Sequence, residues 1–82
     1  LFFNLDNGEI SNRSDSALEQ LADIARQAQQ HGAFFLITAP HDDQARWMFS
    51  VMREAVDGYR LRGRIELAGR TTVRLRMPTT QN

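Results

Sequence analysis

The spacing of apolar residues changes along the chain, and each change of period marks an element. Leu1-Phe2-Phe3-Asn4-Leu5 is a short apolar run closed by Asp6-Asn7-Gly8, a turn signal, and it predicts a strand. Ile10 follows as an isolated apolar residue in a polar loop. Leu18, Leu21, Ala22, Ala25 and Ala28 then recur at helical spacing, with Ile24 beside them. Ser16 and Glu19 fit a capping box and Gly32 supplies a stop, so the pattern predicts a helix over residues 17–30. Ala33-Phe34-Phe35-Leu36-Ile37-Thr38-Ala39 is nearly all apolar and has the length of a strand, and such a run predicts a strand covered on both faces. Pro40 ends it.

Asp42 or Asp43 can cap a second helix, whose apolar stripe is Met48, Val51, Met52, Ala55 and Val56. That helix either closes at Gly58 or continues through residues 59–61 to Gly63. The period then shortens to two. Ile65 and Leu67 alternate with Arg64 and Glu66, and Val73, Leu75 and Met77 alternate with Thr72, Arg74 and Arg76. With Ala68-Gly69-Arg70 as a tight connection, these two strands read as a hairpin ended by Pro78, before a frayed tail over residues 79–82. The order is β-α-β-α-β-β. The simplest layer solution is a two-layer α+β domain over residues 1–78, a mixed sheet with two helices on one face.

Length fits this: 82 residues support one domain and one core, burying roughly 60–65% of the unfolded surface. An apolar fraction of 41% argues against disorder. The longest apolar run is far too short to span a bilayer. The opening Leu1-Phe2-Phe3, without Met, reads as a segment of a longer or processed protein, and any membrane anchor is expected outside this chain. With no cysteine, disulfides and thiolate metal sites are excluded, a composition compatible with the periplasm. Net charge is zero but divided: residues 1–58 hold nine acids and four arginines, net −5, and residues 59–82 hold six arginines and one acid, net +5. The chain has no lysine, so its ten fixed positive side chains are all arginine.

Catalytic signatures are missing: the chain has no G-x-S-x-G, no cysteine nucleophile and no phosphate-binding glycine loop. His41-Asp42-Asp43 offers metal-binding atoms, but three consecutive residues seldom converge on one ion, and a helix-capping loop accounts for the aspartates. No metal or cofactor is expected. His31 suits the negative pole of the first helix and needs no further role. Arg64, Arg74 and Arg76 share one side of the last two strands and form a candidate assembly surface. A basic sheet face can hold RNA, but such faces interleave aromatics for stacking, and Tyr59 is the only aromatic that sequence places nearby, so nucleic acid is not expected. Trp47 lies one position off the apolar stripe, at a rim that can also form a binding edge.

Taken in order, these segments resemble an OmpA-like domain. Phe2-Phe3-Asn4-Leu5-Asp6-Asn7-Gly8-Glu9-Ile10 is similar to the family's opening strand and loop, and the Leu18/Leu21-Ala22 helix follows at the right distance. Phe35-Leu36-Ile37-Thr38-Ala39-Pro40-His41-Asp42-Asp43 resembles the strand that leads to the family's G-H-T-D loop. Phe49-Ser50-Val51-Met52-Arg53-Glu54-Ala55-Val56 looks like its L-S-x-x-R-A-x-A-V helix, and Arg64-Ile65-Glu66-Leu67-Ala68-Gly69 like the strand after it. The resemblance covers nearly the whole chain, and it lies in order and spacing, since no single motif is intact.

The resemblance implies a periplasmic, non-catalytic domain that binds the peptidoglycan stem peptide and tethers an envelope protein to the wall. By position it assigns the grip on diaminopimelate to Asp43 and Arg53, with His41 matching the loop histidine. An anion and a planar cation suit a zwitterionic ligand. The chain departs from the family at Pro40 for Gly, Asp42 for Thr, Arg46 for Asn, and in a shorter Asp43–Arg53 segment. Those departures suit a second reading, in which the domain serves protein–protein assembly in a secretion, pilus or motility complex, as a homo-oligomer packed head to tail. A basic RNA-binding module is the third.

Overall fold

The computed structural model describes residues 1–57 and 61–77. Its elements run β1 (Phe2–Asn4), α1 (Asn7–Ser11), α2 (Asp15–His31), β2 (Phe34–Ala39), α3 (Asp42–Ala55), β3 (Arg62–Leu67) and β4 (Thr72–Arg76). The described residues form a small α+β fold, a four-stranded mixed sheet with three helices, in the strand order β1-β4-β2-β3. β4 runs antiparallel to both β1 and β2, and β2 runs parallel to β3.

The longest helix begins one turn-half earlier than the capping box suggests. Ser14, not Ser16, is the N-cap: its hydroxyl oxygen accepts from the Ala17 N–H at 3.1 Å and donates to Glu9 Oε1 at 2.7 Å. α2 ends as expected at Gly32, which takes the left-handed φ of 61° that a side chain disfavours. Ile10 is not in a loop. It anchors α1, capped by Asp6 through the Glu9 N–H, and is only 2% exposed. One turn with a single apolar residue is too short to show a helical period. Neither Asp42 nor Asp43 caps α3. His41 holds the N-cap position with no side-chain cap bond, and the aspartates occupy the first turn, where the helix dipole favours them. α3 closes at Ala55, so the continuation to Gly63 does not occur: Gly63 lies within β3. Gly58, Tyr59, Pro78 and the tail 79–82 fall outside the described residues.

The expected hairpin of the last two strands is absent: β2 separates β3 from β4. After β3 the chain crosses the end of β2, held by the Ala68 N–H on the Ala39 carbonyl at 3.0 Å. The Thr38 hydroxyl donates to the Arg70 carbonyl at 3.1 Å, and the Thr72 hydroxyl meets Thr38 across the strands. Alternation reveals which face a strand buries but not which strand lies beside it, and the apolar β2 gains a partner on each edge by this route.

β2 is central yet covered on one face only. Phe35, Ile37 and Ala39 point under the helices and are 0% exposed, while Phe34 on the other face is 39% exposed. Val73 and Leu75 of β4 join the same core, with Leu21, Ile24, Met48 and Met52 from α2 and α3. Phe35 meets Phe49 of α3 with ring centroids 5.2 Å apart and lies across Gly63 of β3, its register partner. A Cβ at Gly63 would stand 2.5 Å from the Phe35 ring. Gly63→Ala is therefore expected to cost about 1–3 kcal/mol by overpacking. Gly69→Ala, where an added Cβ meets nothing within 4 Å, should stay within about 0.5 kcal/mol of the parent. Urea unfolding followed by the single tryptophan measures both, and equal effects at the two glycines would refute the role given to Phe35.

Candidate functional site

Two features of the surface carry chemistry, and they lie on different parts of the fold. The first is a cleft at the start of α3. α1 packs against both α2 and α3, which carries the turn between α1 and α2 to the α3 N-terminus. In that turn Arg13 takes a left-handed φ of 52°, pinned by its own N–H on the Ile10 carbonyl at 3.1 Å and by the Ser14 N–H on the Glu9 carbonyl at 3.1 Å. Its guanidinium carbon stands over the Trp47 ring, 5.7 Å from the centroid. Arg13, Trp47, His41, Asp43 and Gln44, with Ile10 and Ser11 below them, line a cleft of about 310 Å³. Among the described residues neither Arg13 nor Asp43 enters an ion pair, whereas Asp42 is paired with Arg46 at 2.7 Å. Gln44 Oε1 is buried with no hydrogen-bond partner, an acceptor that a donor entering this region would satisfy.

Of the residues the sequence offered for ligand binding, His41 and Asp43 share this cleft, and Arg53 does not. Asp43 and Arg53 stand at opposite ends of α3, and ten residues of helix separate them by roughly 15 Å along the axis. Because α3 starts at once after Pro40-His41, no loop remains to fold the acid back toward the arginine. The cation that does reach Asp43's cleft is Arg13, which the sequence shows only as part of a polar connection, Asn12-Arg13-Ser14-Asp15.

The second feature is the open face of the sheet. Register places Phe2, Arg74, Leu36 and Arg64 in one cross-strand row. Arg76, Phe34 and Arg62 form the row on one side of it, and Thr72, Thr38 and Glu66 the row on the other. Arg64, Arg74 and Arg76 thus come together around a groove of about 480 Å³ lined also by Phe34, Leu36 and Glu66. Arg74 stands over the Phe2 ring at 5.4 Å from its centroid. Tyr59 is outside the described residues, and the aromatics that do interleave with these arginines are Phe2 and Phe34. Strand register, which joins segments far apart in the chain, is what brings them together, and alternation alone does not show it. Among the described residues no three histidine, aspartate or glutamate side chains gather to hold a metal, and no helix is long and apolar enough to cross a membrane.

Comparison with protein-family models, with curated proteins and with solved structures finds no match to this chain.

The cleft has an internal reporter, since Trp47 is the only tryptophan. Removing the Arg13 guanidinium should shift Trp47 emission. Arg13→Gly should also be more stable than Arg13→Ala by about 1 kcal/mol, because glycine accepts the left-handed backbone. An unchanged emission maximum in both variants would show that Arg13 does not cover the ring in solution.

Proposed function

We propose that this chain is a non-catalytic, periplasmic binding domain of a cell-envelope protein, holding the zwitterionic end of the peptidoglycan stem peptide in the α3 cleft. The observation that carries the reading is the meeting of Asp43 and Arg13 at one cleft, with His41 and Trp47 beside them. A diaminopimelate end presents an ammonium and a carboxylate on one carbon. The carboxylate suits the Arg13 guanidinium and the positive end of α3, and the ammonium suits Asp43. A cleft of about 310 Å³ is the size of such an end group and not of a whole disaccharide peptide. The likeness to OmpA-like domains supports the ligand class, and within it Arg13 takes the part that position alone gives to Arg53. Assembly in a larger envelope complex is the second reading, and the basic open sheet face favours it.

The test is titration of the intact chain with a stem tripeptide ending in diaminopimelate and with the same peptide ending in lysine, followed by Trp47 emission and calorimetry. The diaminopimelate peptide should bind, and the lysine peptide, lacking the second carboxylate, should bind more weakly. Asp43→Asn and Arg13→Gln should each weaken binding about tenfold or more, the size of one charge-assisted hydrogen bond. Arg53→Gln should leave it unchanged. No binding of either peptide, or a loss at Arg53 with none at Arg13, would sink the reading.

A further inference from the structure

The open sheet face and the outer face of α2 match each other in charge, spacing and apolar content. On α2 the core side is Ala17, Leu21, Ile24, Ala25 and Ala28, so the opposite side presents Asp15, Glu19 and Asp23 to solvent, one helical turn apart. Beside these carboxylates lie Leu18, 37% exposed, and the half-buried Ala22. The sheet face presents the complement: exposed arginines on β3 and β4, with Phe34 and Leu36 between them. Carboxylates at i and i+4 rise by roughly 6 Å, and arginines at i and i+2 of a strand by roughly 6.7 Å. Two turns of α2 therefore keep step with two rows of the sheet.

From the row of Arg76 and Arg62, through Arg74 and Arg64, the face ends at Glu66. From Asp15 through Glu19, α2 ends this stretch at Arg26, which is 3.0 Å from Asp23. An α2 lying along the direction of β2 puts Asp15 and Glu19 over the two arginine rows and brings Asp23, with Arg26 paired to it, over the row of Glu66.

We propose that the open sheet face docks α2 of a second copy of this chain, so that copies associate head to tail. The contact buries Leu18 against Phe34 and Leu36 and completes a second helical layer over a sheet that has one. Because the two surfaces differ, each docked copy leaves a free sheet face at one end and a free α2 at the other, which gives a ring if the rotation closes and a filament if it does not. A net charge of zero leaves no overall repulsion to oppose the association. None of these residues lines the α3 cleft, so this contact and ligand binding there stand or fall separately.

Sedimentation of the full chain over a wide concentration range, in low and high salt, tests the proposal. Average mass should rise with concentration in low salt and fall toward the monomer as salt screens the pairs. A sheet variant, Arg64→Gln with Arg76→Gln, and a helix variant, Asp15→Asn with Glu19→Gln, should each weaken association about tenfold or more. Circular dichroism checks that both remain folded, which their exposed positions favour. Mixed together, the sheet variant offers an intact α2 and the helix variant an intact sheet face, so the mixture should form one-to-one dimers and nothing larger. A parent chain that stays monomeric in low salt, or association that survives in either variant alone, would overturn the proposal.

Discussion

Phe35 is the side chain on which the rest of the architecture is seated. Its ring fills the space over Gly63 on the neighbouring strand and rests against Phe49 on the helix that joins the two strands. The same residue therefore fixes the β2–β3 register and the seat of α3 on the sheet. Any larger residue at Gly63 displaces the ring, and a smaller one at position 35 opens a cavity under three elements at once. What the fold does at its surface follows from that placement. With α3 held close to the end of β2, the chain has only Pro40 and His41 in which to turn, and Asp43 is already helical.

The same compactness divides the molecule electrically. The three described helices lie on one side of the sheet, and residues 1–58, which include them, carry a net −5. The opposite face carries four arginines against Glu66. Charges of opposite sign separated by a packed core cannot neutralise one another through contact, so each face presents its own field to the surroundings. The α3 cleft lies within the acidic side, where Arg13, held over Trp47, supplies a local positive charge.

Sequence patterning reached the elements whose signal is long or punctuated, and missed those set by tertiary choice. α2 and its Gly32 stop were legible because several apolar positions agree on one face. α1 was hidden because one turn with only Ile10 buried has no period. Ser14 and Ser16 both stand at the beginning of α2 with an acid nearby, and contact with Glu9 favours the earlier one as the cap. The hairpin reading failed because alternation specifies faces and leaves neighbours open. At the candidate site, His41 and Asp43 were singled out by the likeness of their segment to a family loop, whereas Arg13 reaches them through a left-handed turn that no pattern of hydrophobicity encodes. Phe2 and Phe34 were unread as companions of the arginines for the same reason as the hairpin: only register brings β1, β4 and β2 into rows.

The order of strands in space has a consequence for the order of events in folding. β4 is the last strand of the sheet in the chain, yet it lies between β1 and β2, and Leu1 and Leu75 exchange both backbone hydrogen bonds. Until residue 76 is free to pair, β1 has no neighbour and β2 has a bare edge. The helices and the β2–β3 pair can gather as synthesis proceeds, but the sheet closes in a single late step that joins segments far apart along the chain. During synthesis, the exposed edge of β2 is thus the stretch most in need of protection from other chains.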